Sequence, residues 1–214
     1  MNEVALQGLR RVPRQRRGQE RVLLLLDAAD RLLAEDGAGA LTTTAVARAA
    51  GVSVGSLYQY FPDRDAIATA LALRYTGELA EVMERMADAA VAQPMADPAG
   101  EVLDAFVRAF RERAGFRALW FGGLRTERLR DATRPTRHVM AAALGRALTA
   151  QAPGADPERV AAVARMTVLV GDGILREAFR LDERGDEAVL TEARRMLRGY
   201  LAAELGLRPG YAAA

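Results

Sequence analysis

Apolar residues recur at the spacing of an α-helix along almost the whole chain. Near the N-terminus, aliphatic residues at positions 22, 25, 26, 29, 32 and 33 follow the i, i+3, i+4, i+7 pattern of an amphipathic helix. No stretch alternates apolar and polar residues in the way that a half-buried strand does. The pattern therefore predicts an all-α fold of about nine helices.

Capping residues and helix breakers set the predicted boundaries of these helices. Gly37 ends the first helix, and Thr42 or Thr43 caps a short second helix that ends at Gly51. Further caps and breakers are Ser53 before a third helix, Pro62 after it, Asp63 before a fourth, the Asp-Pro pairs at 97–98 and 156–157, Pro135 before a helix over 136–149, and Asp186 before the last helix.

The second and third predicted helices are joined by the tight turn AGVS at residues 50–53. Two short helices with a glycine-containing turn are typical of a helix-turn-helix, whose second helix enters the DNA major groove. Leu57 and Phe61 are four residues apart, so we expect them to face the core. Four polar or aromatic side chains are then predicted to project outward, where hydroxyl and amide groups reach phosphates and base edges: Ser56, Tyr58, Gln59 and Tyr60.

The segment TTTAVARAAGVSVGSLYQYFPDRDAIATAL, preceded by LLDAADRLLAEDGAGAL, resembles the DNA-binding domain of the TetR family of bacterial transcriptional regulators. The resemblance covers roughly residues 20–70. It implies an N-terminal three-helix DNA-binding domain followed by a C-terminal domain for ligand binding and dimerisation. It also implies a dimer on a palindromic operator, usually released by a small molecule. The predicted division is a basic arm at 1–19, the helix-turn-helix domain at 20–66 and the C-terminal domain at 67–210.

Nine residues match positions of DNA contact in the family. Two of them depart from its common pattern, because many members have a basic residue at the position of Thr44 and a polar or basic one at Val54. The resemblance thus implies DNA contacts from Thr43, Thr44, Val54, Gly55, Ser56, Tyr58, Gln59, Tyr60 and Arg64.

The positive charge of the chain is concentrated at its N-terminus. All thirty basic residues are arginine, yet the net charge is only +2. Residues 1–21 contain six arginines and two glutamates, whereas residues 22–64 contain three arginines and five acidic residues. One interpretation is that the arm enters the flanking minor groove, as homeodomain arms do, and the other is a solubilising tail. The candidate arm residues are Arg10, Arg11, Arg14, Arg16 and Arg17.

The C-terminal part carries weaker signals. Small residues on the penultimate helix suit close helix contacts, so we expect a homodimer through helices at about 157–181 and 187–205, with an intramolecular core as the alternative. A small-molecule effector, apolar or aromatic, is expected among the middle helices, although aromatic residues at helical spacing also form ordinary cores. The candidate effector-binding residues are Phe106, Phe110, Phe116, Trp120, Phe121, His138, Met166, Asp172 and Arg176.

Composition argues against several other classes of protein. The chain has no cysteine and a single histidine, so neither a cysteine- or histidine-based metal site nor a nucleophile–base pair is expected, and we predict no cofactor and no enzymatic activity. The longest aliphatic run, Val22–Leu26, is too short to span a bilayer, and we predict a cytoplasmic protein. The function predicted is a homodimeric, ligand-released repressor on operator DNA. A ligand-independent or architectural DNA-binding protein and a transcriptional activator remain alternatives.

Overall fold

The computed structural model describes Leu9, Pro13 and residues 15–124 and 126–207. Within these ranges the chain forms nine α-helices and one short 3-10 turn, without strands, which confirms the predicted all-α class. The elements are α1 (Arg16–Asp36), the 3-10 turn (Ala38–Ala40), α2 (Thr43–Ala49), α3 (Val54–Tyr58), α4 (Arg64–Ala92), α5 (Pro98–Glu112), α6 (Ala114–Phe121), α7 (Glu127–Gln151), α8 (Pro157–Leu181) and α9 (Glu187–Leu205).

The predicted capping residues begin the helices as expected. The Thr42 hydroxyl accepts a hydrogen bond from the Ala45 amide at 3.1 Å, and Ser53 accepts one from the Ser56 amide at 3.2 Å. Such caps satisfy amides that have no partner within the helix. Carboxylate caps do the same for four later helices, from Asp63, Asp97, Asp156 and Asp186.

The prediction that a helix starts after Pro135 was wrong. Helix α7 begins at Glu127 and carries Pro135 within it. The Thr126 hydroxyl caps this earlier start by accepting from the Leu129 amide at 3.3 Å. Leu129 and Thr133 are both buried, so tertiary packing continues the helix past a proline that a local pattern treats as a boundary.

The described chain divides into two compact units. Unit 1 contains the described residues up to Gly77 together with residues 113–135, and unit 2 contains residues 78–112 and those from 136 onward. Helix α4 (Arg64–Ala92) spans the predicted domain boundary at residues 66/67, and it contributes its residues up to Gly77 to unit 1 and the rest to unit 2. Unit 1 also includes α6, although the predicted division places its residues in the C-terminal domain.

Unit 2 is held by polar contacts between α5 and α9 and by an aromatic pair. Arg194 donates to Asp104 at 2.7 Å, and Arg198 donates to Asp97 at 3.0 Å from its Nε. Burial alone raises the pKa of Asp97, but the bonds from Arg198 and from the Gly100 amide outweigh it and lower that pKa. These bonds supplement the apolar core of the unit, in which the rings of Phe110 and Phe179 stack at 5.0 Å.

A cluster of charged and hydroxyl groups joins α1 to α4 within unit 1. Arg74 donates to Asp27 at 2.6 Å and to Asp30 at 2.9 Å, and the Tyr75 hydroxyl also donates to Asp30. Tyr75 is buried, and both its burial and its bond to the Asp30 carboxylate raise its pKa. The phenol therefore stays protonated and serves Asp30 as a permanent donor.

Helix α6 lies directly against this cluster. A Cβ atom at Gly115 would come within 2.8 Å of the Tyr75 hydroxyl and 2.9 Å of the Asp30 carbonyl oxygen, closer than Cβ atoms come in real proteins. The next residue, Phe116, packs its ring 5.0 Å from that of Tyr75. The missing side chain of Gly115 is thus what lets α6 approach α1.

We predict that Gly115→Ala lowers the free energy of unfolding by about 1–3 kcal/mol, the usual cost of inserting atoms into a packed contact. The matched control is Gly55→Ala, because a Cβ there meets nothing within 4 Å. Urea denaturation followed by circular dichroism measures both. Equal stability of the two variants would contradict the close α1–α6 contact.

Candidate nucleic-acid interface

Helices α2 and α3 form a helix-turn-helix. The turn depends on Gly51, whose φ of 65° lies in the left-handed region that favours glycine. Its amide donates to the Arg48 carbonyl at 3.1 Å, and the Val52 amide donates to the Ala47 carbonyl at 2.9 Å. These bonds close the end of α2, and the Ser53 cap starts α3 immediately afterwards.

Two apolar anchors hold α3 on unit 1. Leu57 and Phe61 are both 0% exposed, as the four-residue spacing predicts. The α-helix itself ends at Tyr58 and so is shorter than expected, but the Tyr60 and Phe61 amides still bond the Leu57 carbonyl at 2.9 Å. This turn continues the hydrogen-bonded backbone to Phe61.

The predicted contact residues lie on the accessible side of these anchors. Tyr58 is 43% exposed, Gln59 is exposed, and Ser56 and Tyr60 are half-buried. At the start of α3, Val54 is half-buried and Gly55 is exposed with open space at its Cβ position. Without a side chain at Gly55, another backbone can approach α3 closely.

A hydrogen bond links the two helices of the motif on this accessible side. The Thr43 hydroxyl and the Tyr58 hydroxyl are 3.3 Å apart, while the neighbouring Thr44 is exposed. The contact joins the first turn of α2 to the end of α3. It orients Tyr58 and places two hydroxyls side by side, each with capacity left for a further acceptor.

The basic residue at the start of α4 faces solvent. Arg64 has a side chain 55% exposed, and its Nε is 3.6 Å from the Asp65 carboxylate. An exposed pair at that distance contributes little, so the guanidinium stays available to a phosphate. Arg128 lies 3.7 Å from Asp63, which adds an exposed cation near the same helix start. Arg128 was not among the predicted contact residues, because it lies far along the chain from the motif.

The C-terminal part of the N-terminal arm lies next to Tyr60, just after α3. Pro13 is buried, and its carbonyl accepts from the Gln19 side chain at 3.4 Å. The Cβ position of Gly18 is 2.7 Å from Pro13 Cβ and 3.6 Å from the Tyr60 hydroxyl. The sequence analysis did not predict this contact. The available signal was the presence of Pro13 and Gly18 among the arginines. Among the arm candidates, Arg16 bonds Glu20 at 2.9 Å and Arg17 is exposed on α1, whereas Arg10, Arg11 and Arg14 lie outside the described residues.

The candidate effector residues are distributed over both units. In unit 1, Phe116 and Trp120 are buried and meet edge to face at 4.6 Å, and Phe121 is half-buried. In unit 2, Phe110 is buried against Phe179, and Phe106 is half-buried. These aromatic residues therefore contribute to two separate cores, and their role in ligand binding stays a prediction.

Four further candidates lie on α7 and α8 in unit 2. Met166 is 46% exposed, and Arg176 lies 3.5 Å from Asp172, where burial lowers the pKa of the guanidinium. His138 is exposed and lines a cavity of about 750 Å³ between α7 and α8. A volume of this size suits a small molecule.

The described residues contain neither a membrane-spanning helix nor a candidate metal site. None of their helices is both long and apolar enough to cross a membrane. Their His, Asp and Glu side chains form no group of three that could hold a metal ion.

Known proteins resemble this chain over most of its length. The family model for bacterial regulatory proteins of the tetR family matches residues 25–71, and the tetracyclin repressor-like C-terminal domain matches residues 93–205. An uncharacterised HTH-type transcriptional regulator of Mycobacterium tuberculosis, Rv1255c, is 30% identical over 179 residues, covering 78% of this chain and 80% of its own.

Solved structures share the fold. A TetR-family transcriptional regulator from Streptomyces coelicolor has a TM-score of 0.63 at 32% identity, with 86% of this chain and 99% of that chain covered. FadR from Bacillus subtilis, solved in complex with stearoyl-CoA, has a TM-score of 0.62 at 20% identity, with 82% and 96% covered.

These matches concern DNA-binding regulators and not enzymes, in agreement with the prediction of no enzymatic activity. They include both family models and agree with the helix-turn-helix built by α2 and α3. The chain belongs to the TetR family of bacterial transcriptional regulators.

Proposed function

We propose that this TetR-family regulator is a cytoplasmic homodimeric repressor that binds a palindromic operator through α3 and is released by a small molecule. The observation that carries the proposal is the accessible side of α2 and α3. There, Tyr58 and Gln59 project from a helix held by two fully buried anchors, with Thr43 bonded to Tyr58. Rigid polar groups on a short helix suit direct readout of the major groove.

Hydroxyl and amide groups, with few cations, dominate this surface. Thr44 and Val54 stand where many family members have basic or polar side chains, so phosphate attraction from the motif is weak. Specific hydrogen bonds from Gln59 and Tyr58 then contribute a larger share of the affinity, and we expect strong discrimination between operator and random DNA.

Exposed apolar residues on α8 and α9 support the dimer. Leu169 is 58% exposed and Met166 46% exposed on α8, and Met196 is 47% exposed on α9. The two helices pack against each other within unit 2, so a second copy of the pair would cover these side chains in a four-helix arrangement. Two recognition helices about 34 Å apart would then meet successive major grooves.

Release by a ligand needs a connection between the effector site and α3. Helix α4 supplies a covalent one, since it begins three residues after Phe61 and continues into unit 2. An effector that binds unit 2 more tightly in one orientation of α4 would shift the population of DNA-binding dimers. FadR of Bacillus subtilis, solved with stearoyl-CoA, shares this fold, which supports a ligand-binding role for this chain.

The direct test is selection of bound duplexes from a random DNA library by the purified chain at a fixed salt concentration. We predict a palindromic site, and we predict that Gln59→Ala weakens binding to it by about 1–3 kcal/mol, because a base contact is removed. Gln93→Ala is the matched control, because Gln93 is exposed just after α4. Recovery of no preferred sequence from ligand-free protein, or equal affinity of both variants, would contradict the proposal.

We also propose that the arginine arm contacts the DNA flanking each half-site, because Pro13 within the arm adjoins Gly18, which in turn lies near the Tyr60 hydroxyl. Replacing Arg10, Arg11 and Arg14 with glutamine should reduce the slope of log K against log salt by about 0.9 for each phosphate that the arm no longer neutralises. This change keeps Pro13 and its packing, which a deletion through residue 17 would remove.

The control for the arm carries three Arg→Gln changes at exposed positions of unit 2, Arg85, Arg108 and Arg195, and so has the same net charge. Filter binding from 50 to 300 mM NaCl (chosen to span physiological salt) gives both slopes. An unchanged slope in the arm variant, or the same change in the control, would show that the arm is only a solubilising tail.

A further inference from the structure

We propose that the effector site is the groove between α7 and α8 and that its ligand is a small organic anion with an apolar body, such as a medium-chain carboxylate. This inference rests on the proposed function, because it names the site and chemical class of the effector. It is carried by the size, lining and charge of one cavity that lies wholly within unit 2.

The groove has the dimensions and the apolar surface of a small-molecule site. Its volume is about 750 Å³, within the range of about 300–1,000 Å³ typical of ligand pockets. Small side chains from both helices form most of its wall, including Ala141, Ala142, Val160 and Ala161, and Val91 at the end of α4 completes it. An aliphatic or aromatic body would displace water from this surface.

Helix geometry gives the groove two different ends. The loop between Gln151 and Pro157 is short, and the Cβ position of Gly145 lies 3.8 Å from Ala164, so the helices run antiparallel and cross there. The end nearest the loop is lined by Thr149, Ala150 and Pro157 and carries no acidic side chain. The other end, from the crossing point outward, carries His138 and Arg165, whereas Arg146 lies beside the crossing point.

Three basic side chains line the groove, and none of the described lining residues is acidic. Arg146 is already paired with Glu84 on α4. Arg165 is exposed and has no ion-pair partner among the described residues, and His138 lies on the same side of the crossing point. One uncompensated guanidinium beside an apolar wall is complementary to a single negative group on an apolar molecule.

The charge of the groove argues against a second copy of this chain as its occupant. Related copies across a two-fold axis would bring the two basic grooves towards each other, and like charges would repel. The exposed apolar residues proposed for the dimer, such as Met196 on α9, do not line the groove. A small anion fits the charge where a second basic groove does not.

Calorimetric titration of the full chain with octanoate, 1-octanol and octylamine tests the charge preference. The three probes share one chain length and differ in the charge of the head group. We expect octanoate to bind one molecule per chain, 1-octanol at least about tenfold more weakly, and octylamine not measurably. Equal affinity for octanoate and 1-octanol would overturn the proposal.

Two variants with matched controls locate the site. Arg165→Gln should weaken octanoate about tenfold and leave 1-octanol unchanged, whereas Arg108→Gln, at an exposed position on α5, should change neither. Ala142→Leu should fill the groove and weaken both probes, and Ala188→Leu, on α9 away from the groove, should not. Unchanged octanoate binding in Arg165→Gln or Ala142→Leu would place the ligand elsewhere.

Two further measurements separate this inference from the proposed function. Light scattering reports the oligomeric mass of each variant, and a loss of the dimer in Ala142→Leu would make the groove a subunit interface and overturn the proposal. Operator selection without ligand tests DNA binding independently. If octanoate binds the groove but does not dissociate the operator complex, the ligand site is upheld. The proposed release of DNA by the ligand is then contradicted.

Discussion

The Asp30 carboxylate is the contact on which the arrangement of unit 1 depends. It accepts from the Tyr75 hydroxyl and from Arg74, and its backbone lies against the bare Cα of Gly115. Three helices that are distant in sequence, α1, α4 and α6, therefore meet at one residue. A partly buried carboxylate is costly unless it is paired, and here Arg74 balances its charge while the Tyr75 hydroxyl adds a hydrogen bond.

This cluster has a consequence for DNA recognition. Helix α1 supplies the apolar surface for the helix-turn-helix, and α4 follows α3 directly, so fixing α1 to α4 also fixes the orientation of α3. The polar side chains that α3 and the adjoining Gln59 present are a half-buried serine, a tyrosine and a glutamine, and none of them has the long flexible reach of lysine or arginine. Short side chains demand an accurate helix position, which a rigid unit provides.

Local sequence signals predicted most of the fold and the position of the DNA-binding surface. Thr42, Ser53 and the four aspartate caps act through bonds three residues away, and Leu57 and Phe61 are buried at helical spacing. Interactions between residues only three or four positions apart can be predicted from a single sequence. The expected contact residues also lie on the accessible side of α2 and α3, although their contacts with DNA stay a prediction.

Features that depend on distant residues were not predictable in this way. The start of α7 before Pro135 is stabilised by burial of Leu129 and Thr133, and the contact of Gly115 with Asp30 joins positions far apart in the chain. The candidate effector residues were chosen by residue type, but packing divides the aromatic ones between two units. The groove between α7 and α8 is lined mainly by small apolar residues, which give no signal in a sequence.

The most direct test of a dimeric repressor is the number of chains bound to one selected operator duplex, measured by native mass spectrometry. We predict two chains per palindrome, and we predict that Leu169→Glu, which places a charge on the exposed face of α8, yields monomers in the absence of DNA. Leu24→Glu, at an exposed position of α1, should remain dimeric. A single wild-type chain per duplex, or an intact Leu169→Glu dimer, would contradict a repressor built from paired α8 and α9 helices.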